Sequence, residues 1–178
     1  MFTQTKILPK ALTFTQIKYY LFSFVFVGLA VGAPWFLHQF TMAGPKFLPM
    51  HFFVIFAGLL FGWRTGLLVG ALSPLASYGL THMPVMQLLP QIVLELAVYG
   101  FAAGLLRERH WNLWISLFSA MVLGRVARIL FLLLFAPEVD WADFIQTSVP
   151  GIILQLALIP IVVHLLQKFL LKNSETKI

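Results

Sequence analysis

An all-α integral membrane protein, a bundle of six transmembrane helices with both termini on the cytoplasmic side, is the fold class this sequence predicts. Three observations carry that prediction. Of 178 residues, 60% are hydrophobic and 10% are charged, with a mean hydropathy of +0.91, more apolar surface than a water-soluble core encloses. The apolar residues form continuous runs rather than a two-residue alternation, and lipid offers no partner to an open backbone group, so the runs are helices rather than barrel strands. Basic residues gather on alternate connections, which orients the runs. That bias also accounts for the net charge of +6, so no nucleic-acid partner is expected. Cysteine is absent, which excludes disulfides, thiolate metal sites and thiol nucleophiles.

Six apolar segments, about 19–38, 47–61, 67–80, 87–106, 113–135 and 146–171, make one membrane domain over residues 1–178. Ala30-Val31-Gly32 has the small residues of a cleavage site, but the long polar stretch from Met1 to Lys18 precedes it and disfavours a signal peptide. With the N-terminus inside, Lys6, Lys10, Lys18, Arg64, Arg107, Arg109, Lys168, Lys172 and Lys177 fall on the cytoplasmic side. The outer loops then hold Lys46 and the acidic Glu138, Asp140 and Asp143.

Segment one carries Gly28-x-x-x-Gly32, a spacing that lets two helix backbones approach, either inside the bundle or against another membrane protein. Trp35 and His38 close its outer end, where tryptophan anchors at the interface. Segments two and three fall short of the ~20 residues that cross a bilayer. They read as a Gly-rich hairpin around the polar turn Gly62-Trp63-Arg64-Thr65-Gly66, bounded by Pro49 and Pro84, which neighbours must complete.

Segment four places Gln87, Gln91, Glu95 and Tyr99 at four-residue spacing, one polar stripe on an apolar helix. Glu95 lies ~12 Å into the segment at ~1.5 Å per residue. A carboxylate at that depth needs a partner or a cavity. Segment five supplies Arg125 and Arg128, three apart on one face and ~15 and ~10 Å from the outer boundary, bracketing Glu95. One reading is a structural Glu95–Arg125 pair that fixes packing. Two arginines against one carboxylate leave a positive excess, however, and guanidinium is the natural partner of a carboxylate or phosphate. An anionic ligand would balance it. Gln155 in segment six, near Pro160, serves packing or the ligand, and His164 reads as a core or interface histidine.

Catalytic signatures are missing. There is no Gly-x-Ser-x-Gly elbow, Walker loop, Rossmann fingerprint or HExxH pair. Ser73 and His82 lie nine residues apart, or ~13 Å along one helix, too far for a nucleophile and its base. His51 and His82 flank the hairpin without a third metal ligand. A non-enzymatic protein without a cofactor or metal is expected, with any ATP hydrolysis performed by separate partner subunits.

The order Leu48-Pro49-Met50-His51, Ala57-Gly58-x-x-x-Gly62, Gly66-x-x-x-Gly70, Ser73-Pro74-Leu75, Leu80-Thr81-His82-Met83-Pro84 and Glu95-Leu96-Ala97-x-Tyr99-Gly100, with Gly124-Arg125, resembles the substrate-binding S component of energy-coupling factor (ECF) vitamin transporters. The close likeness covers about a third of the chain. It implies a six-helix, multi-pass protein of the prokaryotic cytoplasmic membrane that captures a small water-soluble vitamin with high affinity. Its partners would be the lipid bilayer, a transmembrane coupling subunit and two ATPase subunits of an ABC-type importer. By position, the resemblance selects Gln91, Glu95, Arg125, Arg128 and Gln155 for substrate, with His51, Tyr78 and His82 as loop-side contributors. Small residues on the first helix would dock the coupling subunit, here Gly28 and Gly32, although they sit nearer the outer end than the family's usual pair. The excess arginine favours a carboxylate-bearing substrate, with pantothenate first. The competing reading is a non-transporting scaffold of the rod-shape-determining MreD-like type, with Glu95 and Arg125 purely structural.

Overall fold

The computed structural model describes residues 15–37, 49–135 and 141–175, with side chains of the last helix described for residues 149–166 and 168. The expectations for His38, for Lys46, for Glu138 and Asp140, and for Lys6, Lys10 and Lys177 fall outside this range, as do the side chains of Asp143 and Lys172.

Six helices run in chain order among the described residues: α1 (Ile17–Leu37), α2 (Pro49–Phe61), α3 (Trp63–Thr81), α4 (Leu89–Glu108), α5 (Leu113–Phe135) and α6 (Trp141–Glu175). Four stretches, Ile17–Phe36, Leu89–Glu108, Leu113–Phe135 and Val149–Leu166, are long and apolar enough to cross a membrane, while Pro49–Phe61 is apolar but shorter. The long exposed faces are greasy throughout, with Phe24, Phe118 and Leu134 all open to the surroundings, as lipid-facing surfaces require.

The turn between α2 and α3 is tighter than its polar sequence suggests. Only Gly62 breaks the helix, at φ 90° and ψ 177°, in a region that residues with a Cβ rarely enter. Trp63, Arg64 and Thr65 already belong to α3, whose first backbone N–H groups lack intrahelical acceptors. One of these is met across the bundle, because the N–H of Trp63 donates to Oε1 of Glu108 at 3.0 Å. The last residue of α4 therefore caps the first turn of α3, where negative charge is also favoured by the helix dipole. Nearby, the hydroxyl of Tyr19 donates to the Arg64 carbonyl at 3.4 Å, tying down the start of α1.

α3 and α4 share the largest interface in the bundle. The buried face of α3 is made of Thr65, Gly66, Val69, Gly70, Ser73, Pro74 and Ser77, and such small residues let backbones meet directly. A Cβ placed on Gly66 would fall 2.6 Å from the carbonyl carbon of Gly100 and 2.8 Å from the Cα of Gly58. Three helices thus touch main chain to main chain. α1 packs over this unit through Phe22 stacked on Phe61, ring centroids 4.5 Å apart. On its opposite flank α5 lies along α4, and α6 touches α2 and α5 through a smaller contact. Its buried stripe is Gln155, Ile159 and Val163, four residues apart on one helical face.

Candidate functional site

Gln91, Glu95 and Tyr99 are all buried on one face of α4, the face that receives α5. Glu95 has no exposed surface at all. Its Oε1 lies 3.2 Å from Nη1 of Arg125 and accepts a hydrogen bond from the Tyr99 hydroxyl at 3.0 Å. Its Oε2 accepts from Nη1 of Arg128 at 2.9 Å and lies 3.6 Å from Nε2 of His51. Nε of Arg128 also donates to Oε1 of Gln91 at 3.0 Å. A single guanidinium therefore grips two α4 side chains one turn apart.

The local chain explains this convergence. Arg125 and Arg128 share a face of α5 because they are three residues apart, and Gly124 lets that face close on α4: a Cβ there would enter the Tyr99 ring. His51 comes from the second residue past Pro49 in α2, with its ring at 61° to that of Tyr99 and centroids 5.4 Å apart. His51 is 5% exposed, and neither of its ring nitrogens has a hydrogen-bond partner among the described residues. Buried charges persist only when paired and hydrogen-bonded, and each charge here has a partner. Two guanidinium groups converge on the one carboxylate of Glu95.

Of the expected site residues, Gln91, Glu95, Arg125, Arg128 and His51 come together. Glu95 is not paired with Arg125 alone, since Arg128 approaches it as closely as Arg125 does. Gln87 drops out of the polar stripe because α4 begins at Leu89, leaving it exposed in the preceding turn. Gln155 is buried on α6 at 2% exposure. Tyr78 and His82 lie at the far end of α3 and pack on each other, ring centroids 6.0 Å apart. Neither hydrogen-bonds to the cluster among the described residues; His82 is exposed and ends α3 in the left-handed region at φ 56°. Ser73 spends its hydroxyl on the Val69 carbonyl at 2.7 Å, and His164 is exposed on α6.

Gly28 and Gly32 are not packed inside the bundle. Nothing described lies within 4 Å of a Cβ placed on either, and both line an open groove between α1 and α3 with Phe24, Trp35, Ala76 and Leu80.

Two residues matter more than their sequence context suggested. Tyr99 belongs to the stripe but was not singled out for the site, though its place four residues after a buried carboxylate was the signal for a hydroxyl donor. Glu108 lies between Arg107 and Arg109, and nothing local marks it as the cap of a different helix.

A family model for the substrate-specific component of ECF transporters matches residues 21–171. Neither a curated protein nor a solved structure matches the chain.

Proposed function

The chain belongs to the family of substrate-specific components of ECF transporters, and we propose on that premise that it captures a small, water-soluble, carboxylate-bearing nutrient at the α2–α4–α5 cluster. The shared carboxylate carries the proposal. Arg125 and Arg128 are both drawn onto Glu95 with 14% of each side chain still exposed, and guanidinium is the natural partner of a carboxylate. Gln91 and His51 supply further polar groups beside it, and Gln155 from α6 and Tyr78 and His82 from the end of α3 would contribute to the substrate contacts. Pantothenate carries such a carboxylate, and it is the first substrate to test.

As a transport subunit the protein performs no catalysis of its own. Energy would come from a coupling subunit and two ATPase subunits, and the exposed groove bearing Gly28 and Gly32 is the proposed seat for a helix of the coupling subunit. Support for this lies in the unpacked glycines, because small residues left open to lipid permit close helix approach. The charge pattern supports both termini on the cytoplasmic side, and the family match supports a prokaryotic plasma membrane; all six helices would form one domain, with α2 and α3 completing their crossing inside the bundle.

A thermal-shift measurement on detergent-purified protein against a panel of water-soluble vitamins tests the capture reading. Stabilisation by pantothenate or another carboxylate vitamin is expected. A folded protein with a flat response to every member refutes capture and favours a scaffold in which the cluster only holds helices together.

A further inference from the structure

His51 is the member of the cluster whose polar atoms the protein leaves unused. Both of its ring nitrogens are buried, and neither makes a hydrogen bond among the described residues. Buried polar atoms in native folds are almost always paired. The side chains around it have satisfied one another instead: Oε1 of Glu95 accepts from Tyr99 and lies beside Arg125, while Oε2 accepts from Arg128. Nε2 of His51 comes no nearer than 3.6 Å to that second oxygen, beyond hydrogen-bond range.

The ring is nevertheless held in place. Side chains lean toward the N-terminus of their helix, so from the third residue of α2 the imidazole reaches toward the end at which the chain enters, the outer end by the charge pattern. There the Tyr99 ring meets it at 61°, centroids 5.4 Å apart. Such a contact orients the imidazole plane without giving either nitrogen a hydrogen-bond partner.

The geometry also says which nitrogen carries the proton. Imidazole is ordinarily neutral at pH 7, with a proton on one nitrogen and a lone pair on the other. The Glu95 carboxylate lies on the Nε2 side, where it attracts an N–H and repels a lone pair. The proton therefore belongs on Nε2, and Nδ1 is the acceptor.

We propose that Nδ1 of His51 accepts a hydrogen bond from the captured molecule, so that the site requires a hydroxyl or N–H group on its substrate in addition to the carboxylate. This rests on the capture reading above and narrows its substrate class. A ligand that brings the donor completes a buried acceptor, whereas a carboxylate without one leaves Nδ1 unpaired, and sites of that kind reject the incomplete partner strongly. His51 is then a specificity-determining residue that touches the substrate. Pantothenate, biotin and folate carry donors of this type; nicotinate and lipoate do not.

These five carboxylates are the probes, and the first readout is nitrogen-15 NMR of histidine-labelled wild-type protein in detergent. The His51 signals are assigned by replacing the other four histidines one at a time. Without ligand, Nε2 should be protonated and Nδ1 should show the resonance of a bare lone pair. Saturation with the best-bound of the five should move the Nδ1 resonance in the direction of hydrogen-bond acceptance and leave Nε2 protonated. Calorimetry on variants gives the second readout. H51F and H51Q should weaken that compound roughly ten- to a hundredfold, the scale of one hydrogen bond to a buried group, while H51N should stay within about threefold of the wild type. The reason is reach, because the Oδ1 of asparagine lies as many bonds from Cα as Nδ1 does, and the glutamine amide only matches Nε2.

An Nδ1 resonance that does not move on saturation, or a ring that is protonated on Nδ1, overturns the assignment but leaves capture standing, and it does so on the wild type even if a variant fails to fold. So does an H51F variant with unaltered affinity, an H51N variant as weak as H51F, or a wild type that binds nicotinate or lipoate best. A folded wild type that binds none of the five overturns both readings together.

Discussion

Replacing Gly66 by alanine should destabilise the protein, whereas the same change thirteen residues later at Gly79 should not. Both glycines lie in α3, so intrinsic helix propensity favours alanine at each by about 1 kcal/mol. They differ in what the new methyl meets. At Gly79 nothing described lies within 4 Å, while at Gly66 the methyl would come 2.6 Å from the Gly100 carbonyl carbon and 2.8 Å from the Gly58 Cα. Carbon pairs rest at about 3.5–4.0 Å, so α3 would have to withdraw by about 1 Å from two helices at once. The obstructing atoms are main chain and have no rotamer to change. Overpacking of this kind costs about 1–3 kcal/mol, and the rigid obstruction places Gly66→Ala at or above the top of that range. After the propensity gain, a net loss of about 2 kcal/mol remains, or about 4–8 °C at the scale of a chain this long. Gly79→Ala should melt at or slightly above the wild type. Ligand-free melting in one detergent, followed by intrinsic tryptophan fluorescence, gives the comparison. A Gly66→Ala protein that melts with or above Gly79→Ala would refute the backbone-contact reasoning.

Arg125→Ala and Arg128→Ala should each weaken ligand binding at least tenfold in calorimetry, while the double substitution, which strands a buried carboxylate, should lose a further 3–5 kcal/mol or so of stability; single variants with unaltered affinity would argue for a purely structural cluster. Tyr99→Phe keeps the ring against Gly124 but removes the donor to Glu95, and a loss of about 1.5–3 kcal/mol is expected by chemical denaturation. Glu108→Ala uncaps α3 and should lower stability by about 0.5–2 kcal/mol, seen as faster hydrogen exchange at the first turn of α3 and nowhere near the ligand cluster. Leucine at both Gly28 and Gly32 should leave the melting of the isolated protein at or above that of the wild type, since nothing described lies within 4 Å of either position, yet reduce its co-purification with a co-expressed coupling subunit; full retention would move docking to another face.

Much of the helical layout was legible because membrane burial writes long uniform runs, and the predicted segment 113–135 coincides with α5. The approach of Glu95 to Arg125 and Arg128 was also legible, since intramembrane charges must find one another and their depths matched. Two kinds of information were not. The polar turn around Arg64 looked five residues wide because polarity was taken for loop, whereas one glycine with positive φ suffices to separate α2 from α3. The second arginine's commitment to Glu95 depended on rotation of α5 about its axis, which three-residue spacing alone leaves undetermined. Likewise, Gly28 and Gly32 and the glycines of α3 have the same spacing pattern, and only the packing of neighbours shows that one set is filled and the other open.

Arg128 has a mechanical consequence apart from its charge. Its guanidinium holds Gln91 and Glu95 together, two points one turn apart on α4, in the manner of a peg seated in two consecutive notches. A slide of α5 along α4 by one turn, about 5.4 Å, breaks both attachments in a single step and, toward the end of α4, sets the guanidinium against Glu95 and Tyr99 instead of Gln91 and Glu95. A swing of α5 away from α4 can instead keep the peg seated while the far ends part. Tilt about the cluster therefore preserves both hydrogen bonds, whereas translation must exchange them.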